Sequence, residues 1–482
     1  MRFFLFVAGI VWIGLLMSCQ KTPYSDLGAT LTTPPPATQI DLLKDSVFLY
    51  SKEVYLWTEV IPDYQKFNPR GYSGSTDLEA AENVMDGIRA LQPLDRFSFV
   101  TTEEEAAGIQ TGEDKDYGFF IKAAATDLVP PLEPDSTYWF VSYVYKSSPA
   151  GNAGVQRGWK ISKINGTSIT YSNSSITLLN QVFFGTMNNA LIQFTKSDGV
   201  DVSVNLTKGS FVANSVLHRS ILTSGSTKVG YLVFNAFFGQ PSRIELGEAF
   251  TYFQSQGINE LVVDLRYNGG GSVQTQDTLA NLIAPQSANG KIMYKTIYNK
   301  TLQQNKHQLI RKKLGYGSGF EEANNTEVFK KAGNLNLSRA FFIVTGSSAS
   351  ASELLINNLK PYMNVKLIGD TTYGKPVGFF GIPIYKYVAY PISFKTVNSA
   401  GNADYYTGFV PDALVPDGVN KAWGDPSEPC LASAIKYILT GSFRLASVST
   451  NEFAMRMSSD QQLQAVQKSI ESKKFIGMFN ER

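Results

Sequence analysis

The run AFFIVT at residues 340–345, followed by GSSASASE at residues 346–353, sets the architecture that this sequence predicts. An unbroken apolar run predicts a strand that is buried on both faces, as in a parallel sheet covered by helices. The small residues lead into a second apolar stretch, residues 354–359, which predicts a helix. Because a helix start leaves backbone N–H groups without partners, this turn presents Ser350 beside donors suited to a negative charge.

A second apolar strand, residues 365–369, precedes Gly374-Lys375-Pro376. A lysine whose ammonium group is poorly solvated loses its proton near neutral pH and then acts as a base. A lysine of this kind beside a serine nucleophile is the pair of catalytic groups that Ser/Lys acyl transfer uses. We therefore expect Ser350 and Lys375 to lie close together.

Three glycines end a further apolar strand in LVVDLRYNGGG, residues 261–271. Glycine permits a turn that brings backbone N–H groups close to a ligand atom. An oxyanion hole is one use of such a turn. A phosphate nest and a simple tight turn are the alternatives, although no Gly-Lys-Ser/Thr follows as in a P-loop. Asp264 and Arg266 predict a structural ion pair rather than a catalytic one.

The order of elements predicts a multidomain α/β protein. Strands alternate with helices over residues 215–440, which indicates an α/β core with a mainly parallel sheet. Residues 41–105 carry apolar residues at three- and four-residue steps and predict an N-terminal helical domain. Residues 441–482 are polar with a weak helical pattern, so we expect a C-terminal surface segment there.

Residues 112–210 switch to short strands and turns and predict a β-domain. The turn Ser148-Pro149-Ala150, with a later strand that ends in Asn165-Gly166, resembles a PDZ domain; an unrelated small β-domain is the alternative. Trp159 departs from that pattern, because PDZ domains of this kind often carry an aspartate there. The resemblance implies a loop whose backbone N–H groups bind a peptide's C-terminal carboxylate, formed by Tyr117, Gly118, Phe119 and Phe120.

The first eighteen residues predict a targeting segment, with Arg2 followed by an uncharged apolar run that is short for a membrane-spanning helix. Its end, Leu16-Met17-Ser18-Cys19, resembles a bacterial lipobox, which implies that Cys19 is acylated and anchors the chain to a membrane. An ordinary secretory signal is the alternative. Residues 19–40 are a Pro/Thr-rich tether. Because Gln20 and Lys21 give no acidic retention signal, we expect the outer membrane, facing the periplasm, within the bacterial cell envelope.

Composition excludes several classes of function. The net charge of +2 gives no electrostatic case for nucleic acid. Two histidines are too few for a His-rich metal site, and His307 stands in a polar stretch that predicts a solvated surface. The chemistry above needs no cofactor and no metal. Cys430, in an apolar helical start, is expected to be a small core residue. No feature indicates an oligomeric state.

Taken together, these motifs resemble the C-terminal processing, or tail-specific, proteases of the S41 serine peptidase family. The resemblance covers nearly the whole mature chain in the same order. It implies a ClpP/crotonase-like core and protein or peptide substrates with free C-termini. It also implies that Ser350 is the nucleophile, ahead of Ser348 and Ser352, and that Lys375 is the general base. The implied oxyanion donors are the backbone N–H of Ala351 and that of Gly270 or Gly271.

One departure from the family pattern concerns the third catalytic residue. Many members place a glutamine shortly after the lysine to orient its amine, and residues 374–379 contain none. Glu353, one helical turn after Ser350, is a candidate for that role. It is equally well explained as a first-turn carboxylate favoured by the helix dipole. A catalytically weak or inactive peptide-binding lipoprotein that keeps the protease fold is the alternative for the chain as a whole.

Overall fold

The computed structural model describes residues 37–125, 137–443 and 475–481. In these residues the α-helices are α1 (Gln39–Val54), α2 (Tyr64–Phe67), α3 (Asp77–Arg89), α4 (Glu103–Thr111), α5 (Pro149–Asn152), α6 (Asn173–Phe183), α7 (Gln240–Gln256), α8 (Val273–Ile283), α9 (Lys300–Gln303), α10 (Gln308–Leu314), α11 (Ala351–Leu359) and α12 (Pro429–Thr440). The strands are β1 (Phe99–Thr102), β2 (Glu113–Asp116), β3 (Phe119–Ala125), β4 (Thr137–Val144), β5 (Lys160–Ile164), β6 (Thr167–Ser168), β7 (Asn189–Thr195), β8 (Asp201–Thr207), β9 (Gly209–Val212), β10 (Val216–Ser224), β11 (Thr227–Phe234), β12 (Glu260–Asp264), β13 (Gly270–Ser272), β14 (Ile292–Tyr298), β15 (Thr326–Val328), β16 (Arg339–Val344), β17 (Asn364–Gly369), β18 (Val377–Gly378), β19 (Ile382–Ile384), β20 (Tyr387–Tyr390), β21 (Phe394–Asn398), β22 (Ala413–Leu414) and β23 (Gly477–Phe479).

A six-stranded sheet in the order β10-β11-β12-β16-β17-β22 forms the centre of the α/β core. The β10–β11 pair is antiparallel and the other neighbours are parallel. Successive side chains point to opposite faces, so Val263 and Phe342 enter the largest hydrophobic cluster with α7, α8 and α11. Val262 and Phe341 enter a second cluster under α12, where Cys430 is also buried. Both faces are covered, which explains why these strands are apolar without alternation.

The predicted N-terminal helices are confirmed, and they pack on the α/β core. Leu43 and Val47 of α1 and Val84 of α3 are fully or almost fully buried in the same cluster as the sheet. The strand β1 pairs antiparallel with β20, which lies far along the chain. The helical layer therefore shares one hydrophobic core with the strands that carry the candidate site.

Residues 113–125 and 137–212 build a separate antiparallel sheet in the order β3-β4-β5-β7-β8, with β6 beside β5. It has its own hydrophobic cluster, which includes Phe119, Phe183 and Phe194. The strands β2 and β9 pair where the chain enters and leaves this unit. Tyr143 stacks on Tyr267 of the α/β core at a ring-centroid distance of 5.7 Å, so the two units are in contact.

Two expectations from the sequence are wrong. Residues 475–481 are not a surface segment, because Met478 and Phe479 of β23 are 0% and 2% exposed and the strand pairs with β13. His307 is not solvated; its side chain is buried against Phe320, and its Nε2 lies 2.9 Å from the carbonyl oxygen of Tyr316. The remainder of the predicted surface segment, residues 444–474 and 482, lies outside the described residues.

The targeting segment, Cys19 and residues 20–36 of the tether also lie outside the described residues. Within the ranges that are described, no helix combines the length and hydrophobicity that a membrane crossing requires.

Candidate active site

Three turns meet at one edge of the central sheet. The neighbouring strands β12, β16 and β17 run parallel and end at Asp264, Val344 and Gly369. Since the carboxyl ends of parallel strands lie on the same edge, the turns that follow them converge. These turns carry the three motifs that the sequence singles out, namely the glycine run, the serine run and the Gly-Lys pair.

Ser350 stands immediately before α11 in a sharp turn. Its φ of 58° and ψ of −107° are unusual for a residue with a side chain. The side chain is 0% exposed, and its hydroxyl has no hydrogen-bond partner among the described residues. A nucleophile at this position would require a hydroxyl without a hydrogen-bond partner, and a strained backbone at a helix start is typical of functional sites.

The two rival serines are bound to the neighbouring turn. Ser348 Oγ donates to the carbonyl of Leu265 at 2.6 Å, and Ser352 Oγ donates to the carbonyl of Asn268 at 3.1 Å. The backbone N–H of Ala349 also donates to Asn268, at 3.0 Å. These bonds fix the serine turn against the glycine turn and leave Ser350 as the serine with an unoccupied hydroxyl.

Lys375 is fully buried between aromatic rings. Its Nζ lies 4.9 Å from the ring centroid of Phe97 and 4.4 Å from that of Phe379. Burial lowers the pKa of Lys375 to about 7, although the negative charges of Asp95 and Glu353 oppose that shift. In this structure Nζ donates to the backbone carbonyl of Ile476 at 2.8 Å, not to a serine.

Glu353 joins the serine and lysine segments. Its buried carboxylate accepts from the backbone N–H groups of Ser350 at 2.9 Å, Gly374 at 2.7 Å and Lys375 at 2.8 Å. The hydroxyl of Thr372 donates to it at 2.6 Å. Burial raises the pKa of Glu353 above its ordinary value, and these four hydrogen bonds oppose that shift. The carboxylate therefore acts on the backbone of both segments, whereas Lys375 Nζ donates to the Ile476 carbonyl.

The glycine turn carries the two glycines that are predicted as alternative oxyanion donors. The N–H of Gly270 donates to Asn268 Oδ1 at 2.9 Å, so it is already engaged. The N–H of Gly271 faces the Gly477 carbonyl of the paired strand β23 in the parallel register Gly271↔Met478, so each of the two glycines has an acceptor nearby. A Cβ on Gly270 would lie 3.0 Å from the Ala351 nitrogen, so the glycine turn and the start of α11 are in direct contact. Ala351, with Gly270 or Gly271, stays the predicted set of oxyanion donors.

A buried charge network holds the base of the glycine turn. Arg266 and Asp264 form the ion pair that the sequence predicts, at 2.6 Å and without solvent exposure. Arg266 also pairs with Asp417 at 2.9 Å and with Glu428 at 2.7 Å. The hydroxyl of Tyr267 donates to Asp417 at 2.6 Å. Every charge in this group has a partner, which is the condition for burying it.

The four residues of the predicted carboxylate loop lead into the edge strand β3. Gly118 has a φ of 78°, and its carbonyl accepts from the N–H of Tyr145 at 2.9 Å. Phe119 is buried against Phe183 of α6 with ring centroids 5.1 Å apart, and Tyr117 is buried near the same ring. Phe120 stacks on Tyr143 at 4.6 Å.

Several residues of the site have no signal in the sequence. Phe97 and Asp95 come from the N-terminal layer, and Ile476 comes from the other end of the chain. Their neighbourhood depends on the tertiary fold, so no local pattern points to them. Asn268 is different, because it lies inside the quoted glycine motif, and an asparagine in a tight turn commonly bonds its own backbone.

Residues 228–415 match the family model described as peptidase family S41. The chain contains a peptidase family S41 domain. The S41 domain includes the glycine turn, Ser350, Glu353 and Lys375, and it ends before α12 and β23.

Proteins that are similar to this chain in sequence carry names that are consistent with a serine protease family. A protein of Staphylococcus aureus (strain bovine RF122 / ET3-1) named "Probable CtpA-like serine protease" is 23% identical over 314 residues, which cover 65% of this chain and 55% of the relative. A Staphylococcus epidermidis protein of the same name is 24% identical over 321 residues, which cover 65% and 56%. The matched region thus spans about half the length of these relatives.

A solved structure shares the fold. A crystal structure from Bacteroides fragilis NCTC 9343, named for the S41 proteases, has a TM-score of 0.61 and 24% sequence identity to this chain. The similarity covers 82% of this chain and 97% of that one, so it extends well beyond the S41 domain.

Proposed function

We propose that this chain is a serine endopeptidase in which Ser350 is the nucleophile and Lys375 is the general base. The observation that carries the proposal is that Glu353 joins two segments, one with a serine whose hydroxyl has no partner and whose backbone is strained, the other with a buried lysine of pKa about 7. Two further observations support the same assignment. Ser350 and Lys375 both lie within the S41 domain, and the hydroxyls of Ser348 and Ser352 are already hydrogen-bonded to backbone carbonyls.

The chemistry follows from these groups. Neutral Lys375 takes the hydroxyl proton of Ser350 as its oxygen attacks a peptide carbonyl. The oxyanion of the tetrahedral intermediate accepts from the N–H of Ala351 and that of Gly270 or Gly271. The ammonium of Lys375 then returns the proton to the leaving amine. Water then attacks the acyl-enzyme as Lys375 takes one of its protons. The ester bond breaks as Lys375 returns that proton to the oxygen of Ser350, which releases the new carboxylic acid and restores the free hydroxyl and the neutral amine.

Glu353 is proposed as a positioning residue. It contacts the backbone on both sides of the reacting pair rather than the lysine amine. Its negative charge also favours the protonated form of Lys375. It would therefore set both the separation of the two segments and the pH at which the base becomes available.

We propose that residues 112–210 are a PDZ-like domain that recognises substrate C-termini. The position of β3 at the edge of the sheet formed by the described residues, with α6 packed beside Phe119, supports a groove in which an extended peptide adds a strand. Tyr117, Gly118, Phe119 and Phe120 would surround the carboxylate. A peptide with a free C-terminus should bind more tightly than the same peptide with a C-terminal amide, and Gly118→Val should remove that difference.

We also propose a place for the enzyme. Acylation of Cys19 would hold the chain on the envelope, at the outer membrane facing the periplasm, with residues 19–40 as the spacer. Substrates would then be envelope or exported proteins. Fractionation of cells that express the full chain or Cys19→Ser tests this, because only the former should remain with membranes.

Hydrolysis of an unstructured protein by the full chain tests the enzymatic assignment. Ser350→Ala and Lys375→Ala should each abolish turnover and leave the thermal unfolding midpoint nearly unchanged. Ser347→Ala, three residues away, and Lys330→Ala, in an exposed ion pair, are matched controls that should retain full activity.

The outcomes separate the two hypotheses for the chain. A protein that only binds peptides would bind them in all five forms and hydrolyse none. Undiminished proteolysis in both Ser350→Ala and Lys375→Ala would show that other residues, or another protein, carry the activity.

A further inference from the structure

The segment Phe475–Glu481 lies between the glycine turn and the strand that follows Lys375. The N–H of Gly477 donates to the carbonyl of Gly269 at 3.0 Å, and β23 pairs in parallel with β13 on that side. On the other side, Phe379 N–H donates to the Met478 carbonyl at 3.1 Å and Asn480 N–H donates to the Phe379 carbonyl at 3.2 Å. The segment is therefore a strand bonded on both edges, between the proposed oxyanion donors and the proposed base.

Two carbonyl groups of this strand meet the catalytic groups directly. The Ile476 carbonyl accepts from Lys375 Nζ at 2.8 Å. The Gly477 carbonyl is the one that Gly271 N–H faces in the parallel register. A Cβ on Gly270 would lie 2.3 Å from the Gly477 oxygen and 3.0 Å from the Ala351 nitrogen, so this carbonyl is on the side of the turn where both proposed donors lie.

The side chains of the strand indicate which residues of a peptide this groove can accommodate. Gly477 has no room for a side chain, because an added Cβ would lie 2.6 Å from the rings of both Phe379 and Phe475. Met478 and Phe479 are buried in the main hydrophobic cluster. The groove thus fits an extended peptide with a glycine followed by two large apolar residues.

Polar contacts hold the far end of the strand at a partly exposed position. The Glu481 carboxylate pairs with Arg243 at 2.8 Å and also accepts from the hydroxyl of Ser272. Gln274 Nε2 donates to Asn480 Oδ1 at 2.7 Å. These contacts lie beyond the catalytic groups, so they can be weakened without a change in the catalytic residues.

We infer that Phe475–Glu481 is an intramolecular ligand of the substrate groove, and that it must leave before a peptide can be cleaved. The inference rests on the proposed protease function only in calling the bound peptide a substrate. That the strand fills a peptide-binding groove is a statement about binding and does not require catalysis. It names the class of substrate as extended peptides that place a small residue at Gly477 and apolar residues after it. It also explains why Lys375 is bonded to a backbone carbonyl instead of to Ser350.

A binding experiment with the full chain tests the inference without any need for catalysis. The probe is a fluorescein-labelled peptide with the sequence of residues 475–481, titrated into Ser350→Ala with and without Glu481→Ala. Loss of the partly exposed ion pair should strengthen peptide binding by roughly three- to tenfold, the usual worth of such contacts. A peptide that carries Gly477→Val should bind neither protein. Glu322→Ala, which removes an exposed ion pair elsewhere, should leave binding unchanged.

Three further measurements sharpen the test. In a chain with native Ser350, Glu481→Ala should raise kcat/KM for an unstructured substrate by a similar factor, and the peptide should compete with that substrate. Hydrogen exchange of Ser350→Ala should show the amides of Gly477 and Asn480 losing protection when the peptide is in excess.

The opposite results would overturn the inference. Equal peptide binding with and without Glu481→Ala, together with protection of Gly477 and Asn480 that excess peptide does not change, would make β23 a permanent strand of the fold. If no form hydrolyses any substrate but Glu481→Ala still strengthens peptide binding, the protease proposal fails while the assignment of the strand as a ligand stands.

Discussion

The backbone N–H of Lys375 donates to Glu353 Oε2 at 2.8 Å, and the same oxygen accepts from the N–H of Ser350 at 2.9 Å. One carboxylate oxygen thus links two segments that are 25 residues apart in sequence and follow different strands. The link acts on the backbone, so it fixes where each side chain starts. It gives Glu353 a role that neither of the two sequence interpretations describes.

Replacement of Glu353 by glutamine should separate these segments. The amide keeps one acceptor oxygen for the three N–H groups and the hydroxyl that the carboxylate binds, so buried donors lose partners at about 1–3 kcal/mol each. We expect kcat/KM to fall by about a hundredfold or more. The acid limb of the pH profile should also move to lower pH, because the charge that raises the pKa of Lys375 is lost. An unchanged pH profile would reduce Glu353 to a structural residue.

The pH dependence of activity should report Lys375. Burial lowers its pKa to about 7, and only the neutral amine accepts a proton from Ser350. Below that pH the ammonium form predominates, so kcat/KM should rise as pH increases through about 7 and then level off. Asp95→Asn should shift the rise to lower pH, since the Asp95 charge favours the ammonium form. A rise near pH 10 instead would mean that the base is an ordinary exposed lysine.

Local patterns in the sequence are sufficient for the parts of the site that follow single strands. Apolar runs without alternation indicate β12 and β16, and their parallel pairing brings the residues after them to one edge. Asp264 and Arg266 are two residues apart, and their ion pair is formed as predicted. In each case the information lies within a few residues, where strand geometry and spacing determine the outcome.

The remainder depends on contacts between distant parts of the chain. Phe475–Phe479 is a short apolar run at the end of a polar stretch, and nothing local shows that it pairs with the glycine turn. His307 has polar neighbours in sequence, but Phe320 covers it in the fold. The N–H of Gly270 donates to a side chain two residues earlier, a competing acceptor that composition does not reveal.

The backbone of Ser350 should make glycine more stable than alanine at this position. A φ of 58° is readily adopted by glycine and costs other residues on the order of 1–3 kcal/mol. Ser350→Gly and Ser350→Ala should both be inactive. In urea unfolding, Ser350→Gly should be more stable than Ser350→Ala by about 1 kcal/mol. Equal stability would show that the turn carries no strain at this residue.

Substitution of Ser348 or Ser352 should reduce the stability of the fold more than it reduces the catalytic rate. Ser348 Oγ donates to the Leu265 carbonyl and accepts from Thr345 N–H at 3.0 Å, all in a buried setting. Ser348→Ala leaves the N–H of Thr345 without a partner, while the Leu265 carbonyl still accepts from the N–H of Asn268. The free energy of unfolding should therefore fall by about 1–3 kcal/mol. Ser352→Ala removes one bond, to Asn268, and should cost less. Both variants should keep measurable kcat/KM at a temperature where they are folded, in contrast to Ser350→Ala. Complete loss of turnover in folded Ser348→Ala or Ser352→Ala, with activity retained by Ser350→Ala, would transfer the nucleophile to that serine.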